Sequence, residues 1–598
     1  MRAKALAAVA ILSLLATLRI ASTHRVFSQT IDEAIHVAAG FEWLAEGRYS
    51  LDVEHPPLPR ALFALDAWLS GATVTGTADR TERGNELLYR DGAYRRNLAA
   101  ARAGNLPWFL LGAVAVYLWA ARLGGRAAGV VAVALFGSLP PILAHAGLAT
   151  TDMAAAATLA AALYALARWL DEPAWGRTAV LGLAIGAGFL AKFSFLLFFA
   201  LGAFILCLPR LPRPAHLGRL AAAALMGFLL VCAAYRFESA PLDAIRLGGK
   251  PPGTAERTAW EYRKVPGYGW VAPGDIEAFR EYARRSGKPF VDFCDWAKAA
   301  GHPSPLAGRY GNTLAGAPPV PRATRSPLRE VTHWLTGRVP IPAITFFAGA
   351  DYVRRHTASG HPGYLFGETR MLGWWYYFPV VVFFKTPLPF LLLAIAGLAI
   401  LIRRREVLGL VPIALLAVSM TSRINIGVRH ILPLYPLLTV AAAVAVVALW
   451  PRRRLLVGLL LGWYFVATAL AHPDYLSYFN EAAGRHPERI AADSNLDWGQ
   501  DLLRLEEYAE RQQLKPLYIS YWGWTRVREH LPESLDLPHG QCVAGWVAIS
   551  EMHPILNRDH AFDWLRAHRP VKKIGASIRL YFIPEGACGP TLDPPGQH

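Results

Sequence analysis

Long apolar segments recur along the chain, and short polar stretches separate most of them. A helix that crosses the hydrocarbon core of a bilayer needs about 20 predominantly apolar residues, and this sequence offers such segments repeatedly. The pattern predicts about eleven transmembrane helices. Their expected starting points are near Ala5, Gly104, Ala127, Asp152, Thr178, Phe193, Gly218, Tyr376, Val407, Ile431 and Leu455.

The first apolar segment has two interpretations. Arg2 and Lys4 followed by an apolar run are typical of a secretory signal peptide. However, no small-residue cleavage site precedes the polar residues Ser22, Thr23 and His24. We therefore expect an uncleaved helix.

Basic residues cluster at the ends of the apolar segments. Because arginine and lysine are enriched in cytoplasmic loops, these clusters assign an orientation to each helix. One consistent threading places the N-terminus in the cytoplasm and, since the number of helices is odd, the C-terminus on the extracytoplasmic side of the inner membrane. The supporting clusters are Arg2 and Lys4, Arg122 and Arg126, Arg168 and Arg177, Arg210, Arg213 and Arg219, Arg403 to Arg405, and Arg452 to Arg454.

In this threading, three long polar stretches lie on the extracytoplasmic side, at residues 28–103, 237–375 and 472–598. Binding and catalytic residues concentrate in loops that a rigid scaffold holds in place, so we expect the chemistry on this face. Residues 237–375 are rich in proline, glycine and aromatic residues, as in Lys250–Gly253 and Gly267–Trp270. That composition predicts irregular, lid-like structure with a few short helices.

The last stretch differs in pattern from the rest of the chain. Residues 501–512 have the charge spacing of a helix, and residues 517–521 and 543–549 are short β-like runs. The predicted fold is a mainly α polytopic membrane protein with a small α/β domain. Residues 1–471 would form the transmembrane module and residues 472–598 the extracytoplasmic domain.

Two pairs of cysteines differ in their surroundings. Cys207 and Cys232 lie in apolar segments, where cysteine usually serves as a packing residue. Cys542 and Cys588 lie in the predicted extracytoplasmic domain, where an oxidising compartment would favour a disulfide. The sequence alone does not decide whether they pair.

Composition excludes two other classes of protein. With 54% hydrophobic and 18% charged residues among 598, the chain is too apolar for a soluble single-core domain. The net charge of +17 does not indicate a nucleic-acid partner. The basic residues are neither gathered on one soluble face nor interleaved with aromatic residues for stacking.

Acidic residues gather just after the first apolar segment. Asp32 and Glu33 are followed by His36 and then by the motif Glu54-His55-Pro56-Pro57-Leu58. A carboxylate in such a loop can remove a proton from an incoming hydroxyl group, which is the task of a general base. The alternative is structural, because acidic residues also stabilise the first turn of a helix.

Asp152 is a second candidate acid on the same predicted face. It lies where the third apolar segment gives way to the fourth, in Thr150-Thr151-Asp152-Met153. Asp152 would serve equally well as the N-cap of the fourth helix. Ionisable groups next to the hydrocarbon are nevertheless costly and indicate function by default.

Cations on the same face complete the candidate site. Arg429 and His430 lie at the extracytoplasmic end of the tenth predicted helix, against the orientation rule, and an anion such as a lipid phosphate would explain them. Lys385 lies within an apolar segment, where it either binds an anion or extends its ammonium group toward the membrane surface. Lys192 is another basic residue at an extracytoplasmic helix end.

These motifs together resemble a family of membrane enzymes. The acidic pair with His-Pro-Pro-Leu is similar to protein O-mannosyltransferases, and Thr151-Asp152 resembles the second-loop acid of the lipid A aminoarabinose transferase. Both belong to the polyprenyl-phosphate-sugar branch of the GT-C superfamily, in glycosyltransferase family 39. Further segments that look like a bacterial subgroup of that superfamily are Arg429–Pro436, Gly373–Pro379 and Ser477–Glu481.

The resemblance implies an inverting transfer of a monosaccharide from a polyprenyl-phosphate carrier to a protein, glycan or lipid acceptor. Asp32 would be the base or orient one, with Glu33 and Asp152 lining the same cavity. The expected substrate-binding residues are Glu54, His55, Lys385, Arg429 and His430. The aminoarabinose transferase has a lysine before its paired prolines, where this chain has His55.

We expect neither a required cofactor nor an obligatory metal ion. A monophosphate carrier leaves with less charge than a nucleotide diphosphate, so arginine and histidine suffice to stabilise it. The sequence has no CxxC or HExxH spacing for zinc. The acidic stretch Asp493–Asp501 departs from the calcium-loop template, because Arg504 stands where the final glutamate belongs, and is interpreted as a helix-capping turn.

Two other functions compete with the enzyme. A transporter or flippase also has many helices and buried charges, but such proteins often show inverted repeats, which this sequence lacks. A non-catalytic envelope scaffold would leave the acidic loop and Arg429 without partners. The enzyme hypothesis requires Asp32, Asp152 and Arg429 to meet in one chamber.

Overall fold

The computed structural model of the protein describes residues 2–75, 79–209, 214–241, 263–265, 269–271, 339–556 and 560–588. The chain divides into two compact units, one formed by Met1–Ala234 with Val353–His598 and the other by Tyr235–Tyr352.

Helices dominate the described part of the chain. In chain order they are α1 (Arg2–Ala21), α2 (Glu33–Phe41), α3 (Pro57–Leu69), α4 (Arg80–Tyr89), α5 (Tyr94–Ala103), α6 (Leu106–Phe136), α7 (Pro140–Ala146), α8 (Asp152–Asp171), α9 (Trp175–Ala191), α10 (Ser194–Cys207), α11 (Leu217–Ala234), α12 (Ile344–Ser359), α13 (Tyr377–Lys385), α14 (Leu388–Arg403), α15 (Val411–Ser419), α16 (Leu434–Leu470), α17 (Leu502–Gln512), α18 (Val527–His530) and α19 (Met552–Ile555).

Every predicted apolar segment lies on helical structure, so the protein is a multi-pass membrane protein as predicted. Within the described residues, five helices are long and apolar enough to cross a membrane, and a sixth span results if α13 and α14 count as one. Residues 175–191, 194–207 and 407–419 form shorter apolar helices. The predicted number of about eleven crossings stays a prediction.

Two of the long helices are interrupted at basic residues. A continuous helix of 37 residues, the length of α16, would measure about 55 Å, well beyond the roughly 30 Å of a bilayer core. The backbone leaves helical geometry at Arg453 in α16 and at Gly125 in α6, where φ is 80°. Each break therefore divides a long apolar segment where the charge pattern predicts a turn.

The segment predicted to begin near Tyr376 is not a single straight helix. The chain bends by 119° between α13 and α14. Pro387 is the N-cap of α14, and proline cannot donate the backbone hydrogen bond that a continuous helix would need there. The bend places Lys385 at the end of α13, beside the loops that carry the site.

Residues 28–75 and 79–103 fold into a small helical layer that contains α2 to α5. Helices α2 and α3 touch at Gly40, where an added Cβ would lie 2.0 Å from the carbonyl oxygen of Arg60. Helices α2 and α4 touch at Gly84, where a Cβ would lie 2.0 Å from the carbonyl oxygen of Ala34. Only glycine permits such close approach of backbone to backbone.

The predicted α/β region near the C-terminus is confirmed. Its five-stranded sheet has the order β10-β11-β9-β7-β8, with β9–β7–β8 parallel and β10–β11–β9 antiparallel. Helix α17 packs on this sheet, and Cys542 is bonded to Cys588. The strands are β7 (Leu517–Ser520), β8 (Leu535–Asp536), β9 (Gly545–Ser550), β10 (Lys572–Ile574) and β11 (Ile578–Ile583).

Short antiparallel strand pairs make up the remaining sheet structure of the described residues. In the unit Tyr235–Tyr352, β1 (Ser239–Pro241) pairs with β4 (Pro340–Pro342), and β2 (Arg263–Val265) pairs with β3 (Gly269–Val271). In the larger unit, β5 (Gly363–Leu365) pairs with β6 (Glu368–Arg370). Most of the predicted lid, including Lys250–Gly253, lies outside the described residues.

Candidate active site

Asp32 lies in the loop after α1, immediately before α2. It occupies the N-cap position, but its side chain makes no capping hydrogen bond. Instead, its Oδ2 accepts a hydrogen bond of 2.6 Å from Nη1 of Arg429, which is 397 residues away along the chain. The Asp32 side chain keeps 24% of its surface exposed.

Asp152 is the first residue of α8 and is almost completely buried. The N-cap is Thr151, so the carboxylate of Asp152 is not a cap. Its Oδ1 lies 2.5 Å from Nζ of Lys192, the C-cap residue that follows α9. Its Oδ2 lies 4.0 Å from Nη1 of Arg429. The condition that Asp32, Asp152 and Arg429 meet is therefore fulfilled.

Arg429 is the centre of this cluster. It belongs to a short 3₁₀ turn, Val428–Ile431, just before α16. Its guanidinium carbon lies 4.3 Å from the centre of the Trp498 ring, so the cation stacks on an aromatic face while it pairs with Asp32. Within the described residues, its Nε is buried and has no hydrogen-bond partner.

The pKa of Asp32 is decided by two opposing effects. Burial would raise this pKa, but the charge and hydrogen bond of Arg429, together with His36, outweigh burial and hold it below its ordinary value. Asp493 also interacts electrostatically with Arg429 and Asp32, but its pKa is shifted in the opposite direction. Burial raises the pKa of Asp493 to about 6, because Arg429 offsets it only in part. The site therefore combines an ionised carboxylate with one that titrates near neutrality.

Two histidines border the cluster in neutral form. Burial, reinforced by the charge of Arg60 for His55 and of Arg429 for His430, lowers the pKa of each imidazole well below its ordinary value. His55 Nδ1 and His430 Nε2 are buried without a hydrogen-bond partner in the part of the chain that the structure describes. Neutral imidazoles can donate to an anion from one nitrogen.

Glu33 differs from its predicted place in the cavity. Its side chain has no exposed surface, and both carboxylate oxygens accept hydrogen bonds of 2.8 Å from Arg102. The same carboxylate also accepts from the backbone N–H groups of Thr30 and Ala149. These partners use up its acceptor capacity, so Glu33 ties the Asp32 loop to α5 and to the start of α8.

Lys385 also differs from its predicted role. Its Nζ donates to the backbone carbonyls of Leu476 at 2.8 Å and Asn495 at 2.5 Å, and lies 4.2 Å from the centre of the Phe479 ring. The ammonium group is buried and its contacts are structural. Glu54 pairs with Arg80 across 3.2 Å and is partly exposed, so its predicted substrate contact stays a prediction.

Sequence reasoning noted Lys192 without a role and missed Arg60. Arg60 is fully buried, and its Nε donates to Nδ1 of His36 at 3.0 Å. It also pairs with Asp52 across 2.5 Å and donates to the backbone of His55, so it shapes the His-Pro-Pro-Leu loop. Its place two residues after that motif is the one local signal of this role.

Metal binding is not indicated by the described residues. Among them, no three His, Cys, Asp or Glu side chains come together in an arrangement that could hold a metal ion. The expectation of metal independence stays a prediction.

The chain is similar to one family of known sequence. Residues 95–235 match the family model of dolichyl-phosphate-mannose-protein mannosyltransferase. This segment contains Asp152 and Lys192, and the resemblance predicted from the motifs is confirmed there. The match agrees with a membrane glycosyltransferase and gives no support to a transporter. No curated protein sequence matches the chain.

Solved structures with a similar course of the chain are more distant. ArnT from Cupriavidus metallidurans bound to undecaprenyl phosphate is 14% identical with a TM-score of 0.47, covering 97% of this chain and 99% of that one. The archaeal oligosaccharyltransferase AglB from Archaeoglobus fulgidus, in complex with an inhibitory peptide and a dolichol-phosphate, is 13% identical with a TM-score of 0.42. It covers 92% of this chain and 70% of AglB.

Proposed function

We propose that the chain is an inverting glycosyltransferase that moves a monosaccharide from a polyprenyl-phosphate carrier to an acceptor. One observation carries the proposal: Arg429 lies 2.6 Å from Asp32 and 4.0 Å from Asp152, so a candidate base and a candidate phosphate ligand are directly paired. The family match over residues 95–235 supports the same class of reaction.

The lipid phosphate would bind to the cations of the cluster. Arg429 presents a planar set of N–H donors that suits phosphate oxygens, and Lys192 adds a compact positive charge beside Asp152. The unpartnered Nε of Arg429 and the neutral His430 offer further donors. As the sugar leaves the phosphate, these donors stabilise the charge that develops on the leaving oxygen.

Asp32 would act as the base. The acceptor oxygen attacks the anomeric carbon, the bond from that carbon to the phosphate oxygen breaks, and the acceptor proton passes to Asp32. The carrier leaves as a lipid monophosphate. A single displacement of this kind inverts the anomeric configuration.

Donor binding and base strength are linked through Arg429. In the free protein, the guanidinium pairs with Asp32 and holds the pKa of that carboxyl low, which makes it a weak base. A phosphate that draws Arg429 toward itself weakens this pair. The pKa of Asp32 then rises, so the base becomes stronger only when a donor is present.

We also propose that the site faces the extracytoplasmic side of the inner membrane. The loops that form the site lie at the helix ends opposite the breaks at Gly125 and Arg453 in the predicted threading. Arg126 and Arg454 flank these breaks, and basic turns are typical of the cytoplasmic face.

The test is a transfer assay with several candidate donors. Membranes that contain the protein are incubated with a panel of radiolabelled polyprenyl-phosphate sugars, and the product that acquires label identifies both sugar and acceptor. Asp32→Asn should lower transfer by about 10²- to 10⁴-fold. Asp66→Asn is the matched control, because Asp66 lies in the same region but is 51% exposed and pairs with Arg90. Wild-type turnover by Asp32→Asn would remove Asp32 from the role of base.

A further inference from the structure

Residues 493–500 follow the last apolar helix, and we call them the clamp segment. The sequence pattern predicts a helix-capping turn for Asp493–Asp501, but the structure differs. Asp501 precedes α17 without capping it, and its Oδ2 accepts instead from the backbone of Ala576 and from Ser577. The acidic stretch therefore has another purpose.

The clamp segment contacts three positions in or just before the turn that carries Arg429. Ser494 Oγ donates to the carbonyl oxygen of Ile426 at 2.7 Å, and Asn495 Oδ1 accepts from the backbone N–H of Val428 at 3.0 Å. The Trp498 ring stacks under the Arg429 guanidinium itself. Both the backbone and the side chain of the arginine turn are thus held from one side.

The same segment also holds the loop that carries Asp32. The carbonyl oxygen of Trp498 accepts from the backbone N–H of Ile31 at 3.1 Å, and that of Gln500 accepts from Ser28 at 2.9 Å. Ile31 immediately precedes Asp32. The clamp segment is therefore bonded to both partners of the Asp32–Arg429 pair.

The clamp segment is itself rigidly seated. Asn495 is fully buried, and its Nδ2 donates to the hydroxyl of Tyr377 at 2.9 Å, so its amide cannot turn. Lys385 holds the carbonyl of Asn495. At Gly427, an added Cβ would lie 2.1 Å from Ser494 Oγ, so glycine is needed for this contact.

We infer that the clamp segment positions Arg429 for the lipid phosphate, with Asn495 and Trp498 as positioning residues. The inference rests on the proposed function. An arginine side chain has many rotamers. If a phosphate replaces Asp32 as the partner of Arg429, the arginine needs a second contact that keeps the guanidinium in position. The Trp498 face and the hydrogen bond from Val428 provide that surface, since neither competes for the phosphate.

The test compares binding and turnover in purified full-length protein. The probe is undecaprenyl phosphate, with labelled donor for kinetics. Trp498→Leu should raise the Kd for undecaprenyl phosphate and the donor KM by about tenfold, with a smaller effect on kcat. Trp498→Phe keeps an aromatic face and should restore much of the affinity. Trp546→Leu, in β9 beside Phe582, removes a tryptophan of the same region and should leave both constants unchanged.

A second set of variants covers the case in which Trp498→Leu does not fold. Gly427→Ala forces Ser494 Oγ away from its partner and should raise the same Kd. Gly427→Ala combined with Ser494→Ala removes the clash and should bring the Kd back to that of Ser494→Ala alone. Equal Kd values for wild type, Trp498→Leu and Gly427→Ala would contradict the inference that the clamp segment positions Arg429.

The two hypotheses fail in different ways. If wild-type protein does not bind undecaprenyl phosphate, the proposed function fails. If wild type binds it, Arg429→Gln loses it and the clamp variants bind as wild type does, the function stands and the positioning role is rejected.

Discussion

At the scale of residues, the chemistry depends on how one guanidinium is shared. Arg429 faces Asp32, Asp152 and the Trp498 ring, while Lys192 takes the other oxygen of Asp152. Buried charges are costly unless each has a partner, so the removal of one member should be felt by the others.

Arg429→Gln should change the pH dependence of transfer as well as its rate. In wild type, Asp32 has a lowered pKa and stays ionised as the pH falls through the ordinary range of aspartate. Without the arginine, the largest effect that opposes burial is lost and that pKa rises, so the acid limb of the pH–rate profile should move to higher pH.

The rate at neutral pH should fall by about 10²-fold in the same variant. The control is Arg370→Gln, because Arg370 also pairs with a carboxylate and lies over the Trp374 ring, but is 53% exposed. An acid limb that stays in place in Arg429→Gln would contradict the proposed charge coupling.

Lys192→Met should destabilise the folded protein. Asp152 would keep a buried charge with only Arg429 at 4.0 Å to offset it. We expect a loss on the order of 3 kcal/mol in the free energy of unfolding in detergent. The double variant Asp152→Asn with Lys192→Met should recover part of this loss, since the buried charge is gone.

The matched control for Lys192→Met is Lys515→Met. Lys515 is 68% exposed and pairs with Glu533, so its removal should leave stability nearly unchanged. Equal stability of Lys192→Met and wild type would show that the Asp152 charge has another partner.

At the scale of elements, α2 carries Asp32 at its start and is held from several sides. Glu33 binds Arg102 of α5. Gly40 in α2 allows the backbone of α3 to approach, and Gly84 in α4 allows α4 to approach the backbone of α2. The position of the base is thus set by helix packing within residues 28–103.

Gly84→Ala tests this packing. The new methyl group would lie 2.0 Å from the carbonyl oxygen of Ala34, and neither backbone can give way without a shift of the helix. We expect a loss of about 1–3 kcal/mol in stability together with reduced transfer, as Asp32 moves with α2. Thermal unfolding and the transfer assay measure the two effects.

Gly176→Ala is the matched control, because nothing lies within 4 Å of an added Cβ in the first turn of α9. That variant should be as stable as wild type or slightly more stable, since alanine is the better helix former. A Gly84→Ala protein with normal stability and transfer would mean that α2 and α4 can separate at little cost.

At the scale of the whole molecule, the sheet region and the helices contribute to one site. The clamp segment lies between α16 and α17 in the chain and directly precedes α17. Helix α17 packs on the sheet that contains β7, β9 and β11. The disulfide between Cys542 and Cys588 packs in a cluster with side chains of β9 and β11 in the same sheet.

The disulfide provides a test of orientation. The variant keeps only the cysteines Cys542 and Cys588. In intact cells, a membrane-permeant maleimide should fail to label this variant until a reductant is added. The reason is that an oxidising, extracytoplasmic compartment preserves the bond. Labelling without reductant would place this region in the cytoplasm and invert the threading.

The reach of sequence reasoning is clear at particular residues. Asp32, Asp152 and Arg429 were recognised because each is a charge at the end of an apolar segment, a property visible in the neighbouring residues. Glu33 directly follows Asp32 and Lys385 lies within an apolar segment, yet in the structure Glu33 binds Arg102 and Lys385 binds backbone carbonyls. Local sequence does not distinguish a charge that faces the cavity from one that supports its wall.

The sequence by itself determined the helical segments and their breaks at Gly125 and Arg453, because transfer of apolar residues into lipid and the placement of basic turns depend on local composition. Only the tertiary structure decided which charges share partners. Arg429 meets Asp32 across 397 residues and Lys192 meets Asp152 across 40. Such pairs form where packing brings distant helix ends together, and burial then makes each charge depend on its neighbour.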